Sequence, residues 1–118
     1  MGAKYFKDLI VWQKSMDLVE EVYKLVRLLP NEELYVLSSQ MRRSAISIPS
    51  NIAEGQKRRT DKEFATFLSY AKGSNAELQT QIMLCSRLGF LNVDRINNVL
   101  DLTVEIDKML ESFILKLN

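Results

Sequence analysis

The segment QMRRSAISIPSNIAEG, residues 40–55, combines a helical pattern of apolar residues with a proline well inside it. A proline in a helix interior removes one backbone hydrogen bond and crowds the carbonyl group four residues earlier, at a cost of about 3 kcal/mol. We therefore expect a helix kinked at Pro49, with tertiary packing that outweighs this penalty, and with Gly55 as its end. Two short helices broken at Pro49 are the alternative, because the residue before a proline prefers extended backbone.

Apolar residues at alternating spacings of three and four extend this helical pattern in both directions along the chain. A first helix is predicted from Leu9 to Leu29, where Pro30 ends it. Asn31 is the predicted N-cap of the second helix, which contains Pro49. The predicted inner faces are Leu9, Trp12, Met16, Val19, Val22, Val26 and Leu29 in the first helix, and Leu34, Leu37, Met41, Ala45, Ile48 and Ile52 in the second.

Two more helices follow the connection Gly55–Thr60. Thr60 and Glu63 have the spacing of a capping box, so they predict the start of a third helix that runs to about Leu88 and stops at Gly89. Asn92 is the predicted cap of the fourth helix. The predicted inner faces are Phe64, Phe67, Ala71, Leu78, Ile82 and Cys85, and then Ile96, Val99, Thr103, Ile106, Leu110, Phe113 and Leu117. Four helices with short links predict one all-α domain over residues 1–118, an antiparallel up-down-up-down four-helix bundle.

Two rows of residues point away from these inner faces. The row on the second helix is predicted to be solvated or to face another subunit, and the row on the third contains only small uncharged residues. A solvated face normally carries the charges of its helix, so the third-helix row favours a subunit contact over a plain surface. The predicted oligomer interface of a homo-oligomeric ring is Arg43, Ser47, Ser50, Glu54, Ser69, Gly73, Ala76 and Thr80.

The composition excludes several classes of function. The 118 residues include no histidine, which removes the commonest general base and the commonest transition-metal ligand. Cys85 is the only cysteine, so an intrachain disulfide is impossible, and its place on an apolar stripe indicates inert core. No apolar run is long enough to span a membrane. We expect a cytoplasmic protein without a metal or cofactor that is not an enzyme.

A polar cluster is predicted between the second and third helices. Glu54 and Glu77 are the carboxylates nearest to an inward face, and catalysis would require their pKa values to differ. The other reading is a hydrogen-bonded network that fixes the helix register or a subunit joint. The predicted members of this network are Asn51, Glu54, Ser74, Glu77 and Gln81.

The basic residues form two small groups, although the net charge of the chain is only +1. Arg42 and Arg43 lie sixteen positions before Arg58 and Arg59, about 24 Å along a continuous helix. One chain therefore carries two basic spots rather than one groove, but a ring of copies would multiply the run near Arg58 into a collar of positive charge. The candidate nucleic-acid contacts are Arg42, Arg43, Lys57, Arg58, Arg59 and Lys62.

Three blocks of residues carry a resemblance to a known family and together span nearly the whole chain. They are Phe6-x-x-Leu9-x-Val11-Trp12-Gln13-Lys14, the segment Gln40–Gly55 with its Asn-Ile-Ala-Glu-Gly ending, and Ala71-x-Gly73-Ser74-x-x-Glu77-Leu78-x-Thr80-Gln81. The chain resembles the four-helix bundle proteins encoded in intervening sequences of bacterial 23S rRNA genes. That family is similar to the accessory variability protein of diversity-generating retroelements, a basic pentamer that associates with reverse transcriptase and RNA. The resemblance implies a homo-oligomer, a pentamer by that similarity, with a non-enzymatic role near RNA.

The first hypothesis is a non-catalytic oligomeric bundle that binds RNA, or a reverse-transcriptase or ribosome-related partner, through its basic rim. The alternative is a protein-binding scaffold or adaptor without a nucleic-acid role. A third possibility is a small-molecule enzyme that uses Glu54 and Glu77, which would require a deep pocket containing both carboxylates.

Overall fold

The protein was analysed as a computed structural model that describes residues 5–118, apart from the side chains of Leu34 and Tyr35. Four α-helices account for most of these residues, and no β-strand occurs among them. The helices are α1 (Ile10–Val26), α2 (Ser39–Gln56), α3 (Asp61–Arg87) and α4 (Val93–Leu117). The prediction of an all-helical fold with four helices is confirmed for the described residues.

The four helices surround one apolar core. Each packs against its neighbours in the chain, and α1 also contacts α4, which closes the circle. The molecule measures 45 × 23 × 19 Å, so it is a rod with its long helices along it. The largest fully buried side chains come from every helix, and they include Leu18, Met41, Ile48, Ile52, Leu68, Leu78, Ile82, Ile106 and Leu110.

The predicted inner face of the first helix is confirmed at its C-terminal end, where Val22, Val26 and Leu29 are buried, but it is wrong in the first half of α1. Val11, Leu18 and Leu25 are buried, whereas Met16 is exposed and Trp12 is only half-buried. Helix α1 contains two overlapping apolar rows, one starting at Val11 and the other at Trp12, and periodicity alone does not choose between them. In the first half of α1 packing in the core selects the first row, so Trp12 borders the core instead of filling it, with its ring 5.4 Å from that of Phe6.

The start of α2 also differs from the prediction. Asn31 lies in a 3₁₀ turn (Asn31–Glu33) rather than at an N-cap, and a π-helical turn (Leu34–Ser38) precedes α2. From Ser39 onward the helix is continuous, with Pro49 inside it, so the alternative of two short helices is excluded. The predicted inner face from Leu37 to Ile52 is confirmed, and the side chain of Leu34 lies outside the described residues.

Gly55 does not end the second helix, contrary to the prediction. It lies inside α2 and is buried, and its backbone φ is not positive. A Cβ atom built at Gly55 would be 2.7 Å from the Cβ atom of Phe67 and 3.3 Å from the backbone oxygen of Phe64. Only a glycine allows α2 and α3 to approach this closely.

The ends of α3 and the start of α4 follow the predicted capping residues. The Thr60 hydroxyl accepts a hydrogen bond from the Glu63 backbone N–H at 3.1 Å. After α3, Gly89 adopts a φ of +82°, which favours glycine, and the next backbone N–H groups turn back to the Cys85 carbonyl. The Asn92 side chain accepts from the Arg95 N–H at 2.9 Å.

Helix α3 also buries a polar contact with α4 that the periodicity did not reveal. Asn75 is fully buried, and its amide donates to the Thr103 backbone oxygen at 2.8 Å. Gln79 donates to the Thr103 hydroxyl at 3.0 Å. The remaining predicted face of α4 is confirmed, with Ile96, Val99, Ile106 and Leu110 buried.

Candidate nucleic-acid interface

The basic run lies at the corner where α2 turns into α3, and two of its cations are held against aromatic rings. Arg58 donates to the Glu54 carboxylate at 2.8 Å, and its guanidinium carbon lies 4.5 Å from the centre of the Phe67 ring. The ammonium of Lys57 lies 5.5 Å from the centre of the Tyr5 ring. These contacts orient the two cations and leave part of each side chain in solvent.

The other two cations of this corner are free. Arg59 and Lys62 are exposed, and neither makes an ion pair with any residue of the described chain. An unpaired surface cation can contact a phosphate without first breaking a protein contact. Arg59 and Lys62 are therefore the best-placed phosphate ligands of this corner. We refer to Lys57, Arg58, Arg59 and Lys62 as the basic corner.

The second predicted basic pair does not join this corner. Arg42 is half-buried and Arg43 is exposed, both in the first half of α2. Because α2 is continuous, these residues lie about 24 Å from the basic corner along the helix axis. Arg43 instead borders a polar groove between α2 and α3. The prediction of two separate basic spots on one chain agrees with this arrangement.

That polar groove contains part of the predicted hydrogen-bond network. The hydroxyls of Ser47 and Ser74 are 2.8 Å apart, and the Asn51 amide donates to the Ser47 hydroxyl at 2.9 Å. Ser47, expected to point away from the core, is thus half-buried between the helices. Glu54, Glu77 and Gln81 do not hydrogen-bond to this triad. The groove has a volume of about 410 Å³ and is lined by Ser39, Gln40, Arg43, Ser44, Ser47, Ser74, Glu77 and Gln81.

The prediction that Glu54 and Glu77 lie near an inward face was wrong. Both side chains are exposed, and Glu77 borders the polar groove while Glu54 pairs with Arg58. Residues 5–118 contain no group of three carboxylate, cysteine or histidine side chains that could hold a metal ion. Cys85 is buried with its Sγ atom 3.6 Å from Met41 Sδ, and burial raises its pKa to about 11. Such a thiol is a poor nucleophile near neutral pH.

The small-residue row on α3 is exposed, as predicted. Ser69 and Thr80 donate their hydroxyl protons to backbone carbonyls four residues earlier, at 3.1 and 2.9 Å. Apart from its chain neighbours and the backbone of its own helix turns, no described atom lies within 4 Å of a Cβ built at Gly73. The row continues into exposed apolar side chains that the sequence analysis did not single out, namely Met83, Leu84 and Leu88. Of the α2 row, Arg43, Ser50 and Glu54 are also exposed.

A second exposed apolar surface was not predicted from the sequence, because this surface depends on the rotation of α1 about its own axis. Met16 and Ile46 are both more than 40% exposed and face one groove between α1 and α2. This groove has a volume of about 320 Å³ and is lined by Trp12, Met16, Val19, Ile46, Pro49, Ser50 and Ala53. A third groove, of about 520 Å³, lies between α1 and α4 beside Lys108 and Lys116. Along the described chain no helix is both long and apolar enough to cross a membrane.

Comparisons with known proteins agree with the sequence resemblance. The family described as 23S rRNA-intervening sequence protein matches residues 7–112. The chain is also similar to a crystal structure of a protein with unknown function from the S23 ribosomal protein family of Bacteroides thetaiotaomicron VPI-5482, determined at 1.70 Å resolution. The TM-score is 0.82 at 27% identity, over 89% of this chain and 98% of that chain. No protein of curated function matches.

Proposed function

Because this chain belongs to the 23S rRNA-intervening sequence protein family, we propose that it is a non-catalytic protein that binds RNA or a ribonucleoprotein. The binding surface is the basic corner, and copies of the chain assemble to repeat that corner. Arg42 and Arg43 are secondary contacts. The protein works as an assembled scaffold rather than by covalent chemistry.

The observation that carries this proposal is the pair of free cations at the corner. Arg59 and Lys62 are exposed and form no ion pair with any described residue. They lie next to two cations whose side chains are already oriented by Phe67, Glu54 and Tyr5. Phosphate contacts dominate the affinity of proteins for nucleic acids. One corner offers few such contacts, so repetition of the corner by oligomerisation raises the affinity through multivalency.

The outer face of α3 supports assembly. A hydroxyl group that is buried without a hydrogen bond is costly, but Ser69 and Thr80 already donate to carbonyls of their own helix. Another helix can therefore cover this face at low cost, and Gly73 allows it to approach closely. The exposed apolar residues Met83 and Leu84 extend the same face. We propose that this face and the α1–α2 groove form the contacts between copies.

The finer features of the fold and assembly follow from the same reasoning. The short connections 57–60 and 88–92 join helices that pack together, which favours an antiparallel up-down-up-down bundle. We propose a closed ring, five-membered by similarity to the accessory variability protein of diversity-generating retroelements, in the cytoplasm. A reverse transcriptase or a ribosome-related protein is the proposed macromolecular partner.

Reversal of the two free charges tests the RNA proposal. Arg59→Glu combined with Lys62→Glu is expected to lower RNA affinity and to reduce the slope of log affinity against log salt, by about 0.7 for each lost contact with a single strand. Binding is measured by fluorescence anisotropy over a series of salt concentrations. The matched control is Arg27→Glu with Arg95→Glu, which changes the net charge equally at exposed sites away from the corner and from the outer face of α3.

Light scattering on the same samples tests assembly. The expected mass is a multiple of that of one chain, and a monomer at micromolar concentration contradicts the proposed contacts. RNA binding that is absent, or that does not depend on salt, contradicts the role of the corner.

A protein-binding scaffold without a nucleic-acid role is the second candidate, and the α1–α4 groove favours it. The groove is mainly apolar, and Lys108 and Lys116 on its rim make no ion pair within the described residues. A partner protein that remains bound after nuclease treatment, with no affinity of the chain for RNA, would support this candidate instead.

A further inference from the structure

The charge of the basic corner is too small to explain strong binding to RNA. Between Glu54 and Glu63 the chain carries four cations and three anions, a net charge of +1. Glu54 pairs with Arg58, which removes part of the attraction that this cation has for phosphate. Affinity from counterion release grows with the number of phosphates neutralised, and here that number is low. Even when assembly repeats the corner, strong binding to RNA requires a second favourable interaction at each copy.

Exposed aromatic rings provide that interaction. Tyr5 is 52% exposed and Tyr70 is 54% exposed, although tyrosines usually bury much of the ring. Tyr70 is in contact with Phe67, with the ring centres 5.3 Å apart, and Phe67 in turn supports Arg58. Tyr5 is in contact with Lys57. Tyr5 thus contacts a cation of the corner directly, and Tyr70 is linked to another, Arg58, through the ring of Phe67.

Arg58 adds a third flat surface. Its guanidinium packs on Phe67 on one side and is held by Glu54, while the side chain remains 42% exposed. An arginine whose plane is already oriented loses little conformational freedom when a base stacks on it. Unpaired nucleotide bases stack on both aromatic rings and guanidinium planes.

We infer that the RNA ligand of the basic corner is single-stranded, with unpaired bases stacked on Tyr5, Tyr70 and Arg58 and phosphates held by Arg59 and Lys62. This inference rests on the proposed function. In a duplex the faces of the bases are covered by their neighbours, so the open tyrosine rings contribute nothing to binding. Stacking surfaces combined with a few cations are typical of single-strand binding.

The test compares one RNA sequence in two forms. A labelled oligoribonucleotide about 12 nucleotides long, without self-complementarity, is titrated by anisotropy as a single strand and as a duplex with its complement at the same salt. The single strand is expected to bind at least about tenfold more tightly. Tyr5→Leu and Tyr70→Leu are each expected to weaken single-strand binding by about tenfold without changing the salt dependence.

Two sets of control variants separate stacking from folding. Tyr5→Phe and Tyr70→Phe keep the ring and are expected to bind like the original chain. Tyr23→Leu removes a tyrosine from the groove lined by Val19, Glu20 and Arg27 on α1, outside the corner, and is expected to have no effect. Circular dichroism checks that each variant is folded.

The outcomes distinguish this inference from the proposed function. Equal or tighter binding of the duplex, or unchanged binding by both leucine variants, overturns the inference while RNA binding itself stands. Absence of binding to either form at low salt overturns the inference and the proposed function together.

Discussion

Helix α3 packs against α2 and α4 in two different ways. Against α2 the closest approach depends on shape, because Gly55 lies so close to Phe64 and Phe67 that a Cβ atom does not fit, and one hydrogen bond between Ser47 and Ser74 joins the same helices further along. Against α4 the contact depends on polar side chains: Asn75 and Gln79 bond to Thr103, and Lys72 lies between two carboxylates. A contact of the first kind fixes distance, whereas one of the second kind fixes the register of the helices.

The comparison predicts that added volume at the α2–α3 contact is the most damaging change. Gly55→Val is expected to destabilise the fold by about 3 kcal/mol, because the atoms that it meets are a Cβ atom and a backbone oxygen, which cannot rotate away. Denaturant unfolding measures the loss. A Gly55→Val chain as stable as the original would show that α2 and α3 separate at little cost.

Gly73→Ala is the matched control, since a Cβ atom there meets no described residue outside its own helix turns. Its expected effect on one folded chain is a gain of up to about 1 kcal/mol from helix propensity. Loss of oligomer mass in this variant would show in addition that another copy covers this face.

Loss of a polar group from the α3–α4 contact is expected to have an intermediate effect. Asn75→Ala removes the hydrogen bond to Thr103 and part of a fully buried side chain, so a loss of about 2 kcal/mol is expected by the same unfolding measurement. Asn98→Ala, at an exposed position of α4, is the control and should change little. If Asn75→Ala were neutral, the apolar core alone would fix this contact.

Loss of the ion pairs of Lys72 is expected to have the smallest effect on stability, and this effect should depend on pH. Burial lowers the pKa of Lys72, but its hydrogen bonds to Asp107 and Glu111 and their charges outweigh burial and raise the pKa. The stabilisation is therefore complete below about pH 10.5 and is lost as the pH rises through the higher pKa of the folded chain. Lys72→Met should cost about 0.5 kcal/mol at pH 7.

The difference in stability between the original chain and Lys72→Met should shrink above pH 10.5. Other groups that titrate there are present in both proteins and cancel in the comparison. Lys24→Met, which removes an exposed pair with Glu21, is the control and is expected to be neutral. A difference that stays constant with pH would assign the effect of Lys72 to packing instead of charge.

The candidate site was predictable from the sequence only in part. The sequence shows the run from Lys57 to Lys62 as a cluster of positive charge. It shows the row from Ser69 to Thr80 as a helix face without charged residues. The division of that run into oriented and free cations was not predictable, because Tyr5 and Phe67 lie in other elements. The polar network was predicted in part: Asn51 and Ser74 belong to it and Ser47 was missed. Glu54 does not belong to it, since Arg58 lies one turn later and bonds to this carboxylate.

The sequence by itself determined the number of helices and most of their ends. Caps such as Thr60, Asn92 and Gly89 act on backbone groups within a few residues, so the helix ends that they set can be predicted from the local sequence. Only the tertiary structure decided which apolar residues in the first half of α1 enter the core and why Gly55 is a glycine. Both depend on the distance and rotation between helices, which are set by the summed packing of side chains distant in sequence.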